Sequence, residues 1–164
     1  MLLLKSDETF HELYVLHSGG VKRFLSGMVG RNNAIAEELA QDTFIKAWKS
    51  LPTFSGKSTF KTWVYKIAIN TARDWLRTHS GRISHELGGE ESSQAETQES
   101  LAVKEILFEL DEDTRALLVL YYYEELNHKE LAKVFQIPEG TVKSRLYSGK
   151  KKLRTLLLEK GFDV

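Results

Sequence analysis

"IPEGTVKSRLYSGKKKLR" occupies residues 137–154 and carries Lys143, Arg145, Lys150, Lys151, Lys152 and Arg154 against a single acid, Glu139. Val142, Leu146 and Leu153, with Leu157 just beyond, recur on one stripe of a helix and would pack on its neighbours. Lys143, Ser144, Tyr147, Ser148 and Lys151 point elsewhere, so the opposite face mixes long cations, hydroxyls and an aromatic ring. Such a face donates hydrogen bonds to base edges in a major groove and to the phosphates beside it. Lys150, Lys152 and Arg154 lie further along and suit backbone charge and salt-dependent affinity. Pro138 fits a first helical turn, where its missing N–H would have had no partner. Upstream, "NHKE" (127–130) has the form of a capping box and opens a short helix containing Leu131, Ala132, Val134 and Phe135. That helix stops near Gln136-Ile137-Pro138. A short helix, a tight turn and a longer basic helix make the helix-turn-helix pattern. The bland alternative is a surface helix with a solvated basic face.

The whole chain is neutral, with 23 basic and 23 acidic residues among 164. The balance is uneven along it. Residues 1–85 hold 12 Lys/Arg and 7 Asp/Glu, residues 86–113 hold 1 and 10, and residues 114–164 hold 10 and 6. Basic, acidic, basic suits surfaces for a polyanion with an acidic stretch between them, and equally the uneven solvated faces of an ordinary helical protein; charge alone does not choose. With 41% hydrophobic and 28% charged residues the composition is that of a folded globular protein. There is no cysteine, hence no disulfide framework and no thiolate metal site, which fits a reducing compartment. The opening "MLLLKSDETF" has too short an apolar run for a signal peptide or a membrane span. The expected location is the cytoplasm.

Only two prolines interrupt long periodic apolar runs, which predicts an all-α protein of two small helical domains. "SHELGGEESSQAETQES" (84–100) would bury almost nothing and reads as an acidic flexible linker between domains at 1–83 and 101–164. Residues 8–29 read as a helix or a helix pair, with Gly19-Gly20 as the candidate break. A second helix over 34–50 places Ile35, Leu39, Phe44, Ala47, Trp48 and Leu51 near one face, and Pro52 ends it. After the loop "TFSGKST" a long helix runs from about Thr59 to Thr78. Its apolar side is Phe60, Trp63, Val64, Ile67, Ala68, Ala72, Trp75 and Leu76, and its opposite side carries Lys66, Asn70, Arg73 and Arg77. Further helices are expected over 100–110, 112–125 and 138–158.

The loop and long helix interleave Phe54, Phe60, Trp63 and Tyr65 with Lys57, Lys61, Lys66, Arg73 and Arg77. Rings to stack on and cations to follow a backbone are what unpaired bases need. Phe60 and Trp63 read as core; Tyr65 and the loop 53–59 are the better candidates for touching bases. One block suited to duplex DNA and another suited to melted DNA point to promoter opening.

These residues resemble a known family. "AEELAQDTFIKAWKSLPTFSGKSTFKTWVYKIAINTARDWLR" (36–77) is similar to sigma domain two. "LDEDTRALLVLYYYEELNHKELAKVFQIPEGTVKSRLYSGKKKLR" (110–154) is similar to sigma domain four. Together they resemble the extracytoplasmic-function (ECF) sigma factors of the bacterial sigma-70 family. The resemblance implies a sigma factor that binds bacterial core RNA polymerase and recognises minus-35 and minus-10 promoter elements, both duplex and melted. Glu38, Gln41 and Asp42 would bind the polymerase clamp helices, with Leu39, Phe44 and Trp48 on the packed side. Phe54, Ser55, Lys57, Tyr65, Lys66, Asn70, Arg73 and Arg77 would capture and open the minus-10 element. Lys143, Ser144 and Tyr147 would enter the minus-35 major groove together with Ser148 and Lys151, with Thr141 and Arg145 near phosphates. The linker would thread toward the polymerase channels, and an anti-sigma factor is the expected further partner. Four positions depart from the common pattern: Lys57 where an acid is usual, Gln136 where the turn often has Gly, Asp111 for a frequent Pro, and Ser148 where Arg is common.

The nearest alternative is a stand-alone helix-turn-helix regulator, which leaves the aromatic and basic block at 53–77 without a role. A helical enzyme is excluded on the residues: His11, His17, His79, His85 and His128 are scattered without metal-ligand spacing, and no glycine-rich phosphate loop occurs. No metal and no cofactor is expected.

Overall fold

A computed structural model describes residues 7–30, 32–79 and 97–164. Among these residues the fold is helical without strands. Helix α1 spans Asp7–Val29, with Asp7 and Glu8 in the first turn where the helix dipole favours acids. It runs unbroken through Gly19-Gly20. Gly20 is there for a close approach rather than a break: a Cβ at that position would stand 2.5 Å from the Tyr65 hydroxyl. Helix α2 (Asn33–Ser50) is opened by Asn32, whose side chain accepts from the Ile35 N–H at 3.2 Å, and a 3-10 turn at Leu51–Thr53 containing Pro52 follows it. Helix α3 (Phe60–His79) is entered through Thr59, whose hydroxyl accepts from the Thr62 N–H at 3.2 Å.

Helix α4 (Gln98–Phe108) begins two residues earlier than its apolar pattern suggests. Thr97 caps it by accepting from the Ser100 N–H, and Glu99 sits in the first turn, so the last residues of the expected linker are helical. The rest of that linker, 84–96, lies outside the described residues. Helix α5 (Glu112–Tyr122) starts at Asp111, which accepts from both the N–H and the hydroxyl of Thr114 at 2.9 and 2.7 Å. Asp111 thus does by capping what a proline there does by restricting φ. Burial pushes its carboxyl upward, but the Thr114 hydrogen bonds and Lys152 outweigh this and hold it below the usual range. Helix α6 (His128–Phe135) has both hydrogen bonds of the capping box, Glu130 N–H to Asn127 at 2.9 Å and Asn127 N–H to Glu130 at 2.8 Å. Helix α7 (Glu139–Glu159) has Pro138 as its N-cap, one position before the first turn.

Helices α1, α2 and α3 pack as one bundle; α5 lies between α1 and α7, and α6 lies on α3. The two halves therefore share a core. Val21, Phe24, Leu25, Val64 and Ala68 of the first half join Leu117, Leu120, Leu126, Leu131 and Val142 of the second in one apolar cluster. Each such large side chain contributes about 1.5–3 kcal/mol on leaving water. A buried cation joins the halves as well. Arg115 donates to the carbonyls of Leu110 and Met28 at 3.4 and 3.2 Å and stacks 4.3 Å over the Phe108 ring. Met28 is in the last turn of α1, which has no basic residue of its own, so Arg115 supplies the favourable charge from the other half. Burial lowers the pKa of its guanidinium, against the opposing influence of Glu112 and Asp111.

Candidate nucleic-acid interface

The expected duplex-reading face of α7 is exposed and continuous. Val142, Leu146 and Gly149 are buried against the body, while Lys143, Ser144, Arg145, Tyr147, Ser148 and Lys151 face solvent and Thr141 is half-buried. Tyr147 is 71% exposed and stands among these cations and hydroxyls with its ring open to solvent. Gly149 completes the buried stripe between Leu146 and Leu153. A Cβ there would meet Thr114 Cγ2 at 2.9 Å, so the glycine lets α7 settle onto α5. Ser144 turns its hydroxyl to the Thr141 carbonyl at 3.1 Å, and Lys143 lies 3.8 Å from Glu139, both contacts weak enough to be exchanged for DNA. Ser144, Arg145, Ser148 and Lys152 line a cleft of about 370 Å³ beside α5. The turn before α7 is set by Gln136 at φ 54°, the left-handed region, where glycine is often found.

On α3, Lys66, Asn70, Arg73 and Arg77 fall on one accessible strip, and Ser55 and Lys57 stand exposed in the preceding loop. The structure does not bring Phe54 and Tyr65 to that surface. Phe54 is buried with its ring 4.9 Å from Trp63, and Tyr65 is only 2% exposed. Tyr65 lies about one turn before Ala68 and two before Ala72, a phase that was readable in the sequence. Its hydroxyl donates to Glu124 Oε2 at 2.8 Å. Burial first, then the adjacent Glu124 carboxylate, push the Tyr65 phenol well above its ordinary value.

On α2, Glu38 and Gln41 are exposed, and Asp42 is half-buried and pairs with Lys46 at 3.0 Å. Leu39 and Phe44 are buried, but Trp48 stays 42% exposed, edge-on to Phe10 at 4.9 Å. Ile45, 52% exposed, follows Gln41 by one turn and joins Trp48. A face of Glu38, Gln41, Ile45 and Trp48 suits a protein partner better than the polar residues alone. Sequence reading missed Ile45, whose signal was an apolar side chain on the polar side of the helix.

The family model for sigma-70 region 2 matches residues 13–82, and that for sigma-70 region 4 matches residues 100–153. The ECF RNA polymerase sigma factor SigM of Bacillus subtilis strain 168 is 31% identical over 156 residues, covering 90% of this chain and 94% of that protein. The chain belongs to the ECF sigma-factor family. A second relative, the ECF RNA polymerase sigma-E factor of Escherichia coli K12, is 31% identical over 162 residues, covering 87% and 84% of the two chains. The fold of this sigma factor is also that of solved relatives. One is RpoE of Bartonella quintana, solved with the anti-sigma factor NepR (TM-score 0.74, 23% identity, 90% of this chain and 96% of that one). Another is CnrH, solved with the cytosolic domain of CnrY (TM-score 0.73, 23% identity, 93% and 89%). Sigma factors are transcription initiation factors and not themselves enzymes. Among the described residues no helix of this one is long and apolar enough to cross a membrane, and no group of three or more His, Asp or Glu could hold a metal ion.

Proposed function

We propose that this chain is a cytoplasmic ECF sigma factor that binds core RNA polymerase, reads a minus-35 element with α7, and captures and opens a minus-10 element with the 53–59 loop and α3. One observation carries the reading: a chain of this family presents a cation and hydroxyl face around an exposed Tyr147 on a helix-turn-helix. Lys143, Ser144, Tyr147, Ser148 and Lys151 read the groove there, and Thr141 and Arg145 hold its edges. Ser55, Lys57, Lys66, Asn70, Arg73 and Arg77 follow the melted strand. Phe54 and Tyr65 support that surface from below. The α2 face of Glu38, Gln41 and Asp42, extended by Ile45 and Trp48, meets polymerase. The anti-sigma factor NepR bound to RpoE supports a similar protein partner here, as does the cytosolic domain of CnrY bound to CnrH.

The test is transcription of sheared DNA from the source organism by core polymerase with and without the protein, followed by mapping of RNA 5′ ends. Discrete protein-dependent starts sharing two upstream motifs are expected. Failure to bind core polymerase sinks the reading and leaves a helix-turn-helix regulator in its place.

A further inference from the structure

A cleft of about 410 Å³ opens where α1 and the start of α2 meet α4 and the end of α5. None of its walls belongs to the faces assigned above to DNA or polymerase. We propose that it binds a mononucleotide, with the phosphate among the cations of α1 and α4 and the base against the Tyr123 ring.

The floor of the cleft is apolar. Leu107 of α4 and Val119 of α5 are buried there, and Gly27 of α1 lies against Val119, where a Cβ would stand 3.5 Å from Cγ2. Tyr123, 63% exposed, stands at the wall and offers a ring face. An apolar floor beside an open aromatic ring suits a planar heterocycle. The volume falls within the range of small-ligand pockets, about 300–1,000 Å³.

The rim is cationic. Lys22, Arg23 and Lys104 line it against one acid, Glu124. That acid is already answered: Tyr65 donates to Oε2 at 2.8 Å, and Arg23 Nε and Nη2 approach Oε1 and Oε2 at 3.3 and 3.4 Å. These bonds fix the guanidinium while its Nη1 stays beside Gly19, 3.6 Å from where a Cβ would be. A guanidinium anchored along one edge presents the other to an anion with little freedom left to lose. Lys22 lies 3.5 Å from Glu37, both side chains well exposed, a pairing weak enough to give way. Ser26 of α1 and Ser100 of α4 add hydroxyls. Three cations and two hydroxyls exceed what a carboxylate can use and match the oxygens of a phosphate monoester. A free nucleotide carries that group, and so does the 5′ end of a nucleic-acid strand.

The full chain is dialysed to equilibrium against each of the four ribonucleoside monophosphates, against the four nucleosides and against inorganic phosphate. At least one monophosphate should saturate a single site at about 10–100 µM, the affinity ordinary for a ligand of that many atoms. Its nucleoside and phosphate alone should each bind at least about tenfold more weakly, because each fills part of the cleft. Lys104→Gln should weaken the nucleotide about tenfold, the loss of a charge-assisted contact. Tyr123→Ser should weaken it about fivefold, the loss of a stacked ring. Lys129→Gln makes an equal change of charge outside the cleft, and Tyr122→Ser removes the neighbouring exposed ring; both should leave affinity unchanged. Thermal unfolding without ligand should be the same in all four variants, and nucleotide should raise the wild-type midpoint with concentration.

A 5′-phosphorylated single-stranded oligonucleotide identifies the source. If Lys104→Gln and Tyr123→Ser weaken it as they weaken the mononucleotide, the cleft takes strand ends; if they leave it untouched, the cleft takes free nucleotide. No saturable binding of any monophosphate below about 1 mM overturns the site. So does equal binding of inorganic phosphate, which would leave the ring without a role, or an equal loss in Lys129→Gln, which would reduce the effect to net charge. None of these failures touches the sigma-factor reading, which rests on other faces.

Discussion

Replacing Gln136 by glycine should stabilise the protein, and the structure says by how much. Gln136 closes α6 at φ 54° and ψ 45°, and its N–H and that of Ile137 both donate to the Ala132 carbonyl. A side chain in the left-handed region costs about 1–2 kcal/mol relative to glycine. Glycine has more freedom to lose on folding, about 0.5–1 kcal/mol. The Gln136 side chain is exposed, so its removal forfeits little packing. The difference is a net gain of about 0.5–1 kcal/mol, or roughly 1–4 °C in the melting midpoint of a chain this size. Urea unfolding followed by circular dichroism should show a higher midpoint with an unchanged slope. Gln136→Val should move the midpoint the other way, because β-branching makes the same backbone angle worse. If glycine lowers the midpoint, or valine matches glutamine, the turn does not hold a left-handed residue at position 136.

Asn127→Ala removes the acceptor of the Glu130 N–H and should cost about 1 kcal/mol in urea unfolding, with Asn127→Asp largely sparing it. Tyr65 should make stability fall at high pH. Its folded-state pKa lies above the unfolded value near 10, so the native chain keeps a proton the unfolded chain releases. The contribution is full below about pH 10 and is lost as pH rises beyond it; in Tyr65→Phe that decline should flatten. Lys143→Ala should leave the unfolding midpoint unchanged while weakening promoter binding. If Lys143 contacts a base, sequence discrimination falls; if a phosphate, the salt slope drops by about 1 instead.

The helices and their ends were legible because local chemistry decides them. The Asn127 and Glu130 pair announced α6, and the spacing of Val142 and Leu146 fixed the face of α7 before its neighbours were known. Two things were hidden for one reason. Tyr65 read as a base-stacking ring, although its phase with Ala68 and Ala72 was already that of a buried residue. Glu124 drew no attention because its partners lie 59 and 101 residues away. Periodicity reports which side of a helix is covered but not what covers it. Gly20 shows the same limit: a glycine pair inside a helix reads as a break until the group filling its space is known. The exposed Ile45 was missed for the opposite reason, since attention to charged residues on α2 passed over an apolar one among them.

Arg115 carries a consequence of its own. The exposed pair Arg73–Asp113 is an attraction between opposite charges in solvent, and raising the ionic strength weakens it. Arg115 holds Met28 by a guanidinium buried against a neutral carbonyl and an aromatic ring, out of reach of mobile ions. The grip between the two halves is therefore partly blind to ionic strength. A cell that changes its potassium level would loosen the rim of the contact without releasing its centre. The centre of the contact thus answers to shape and burial rather than to counterions.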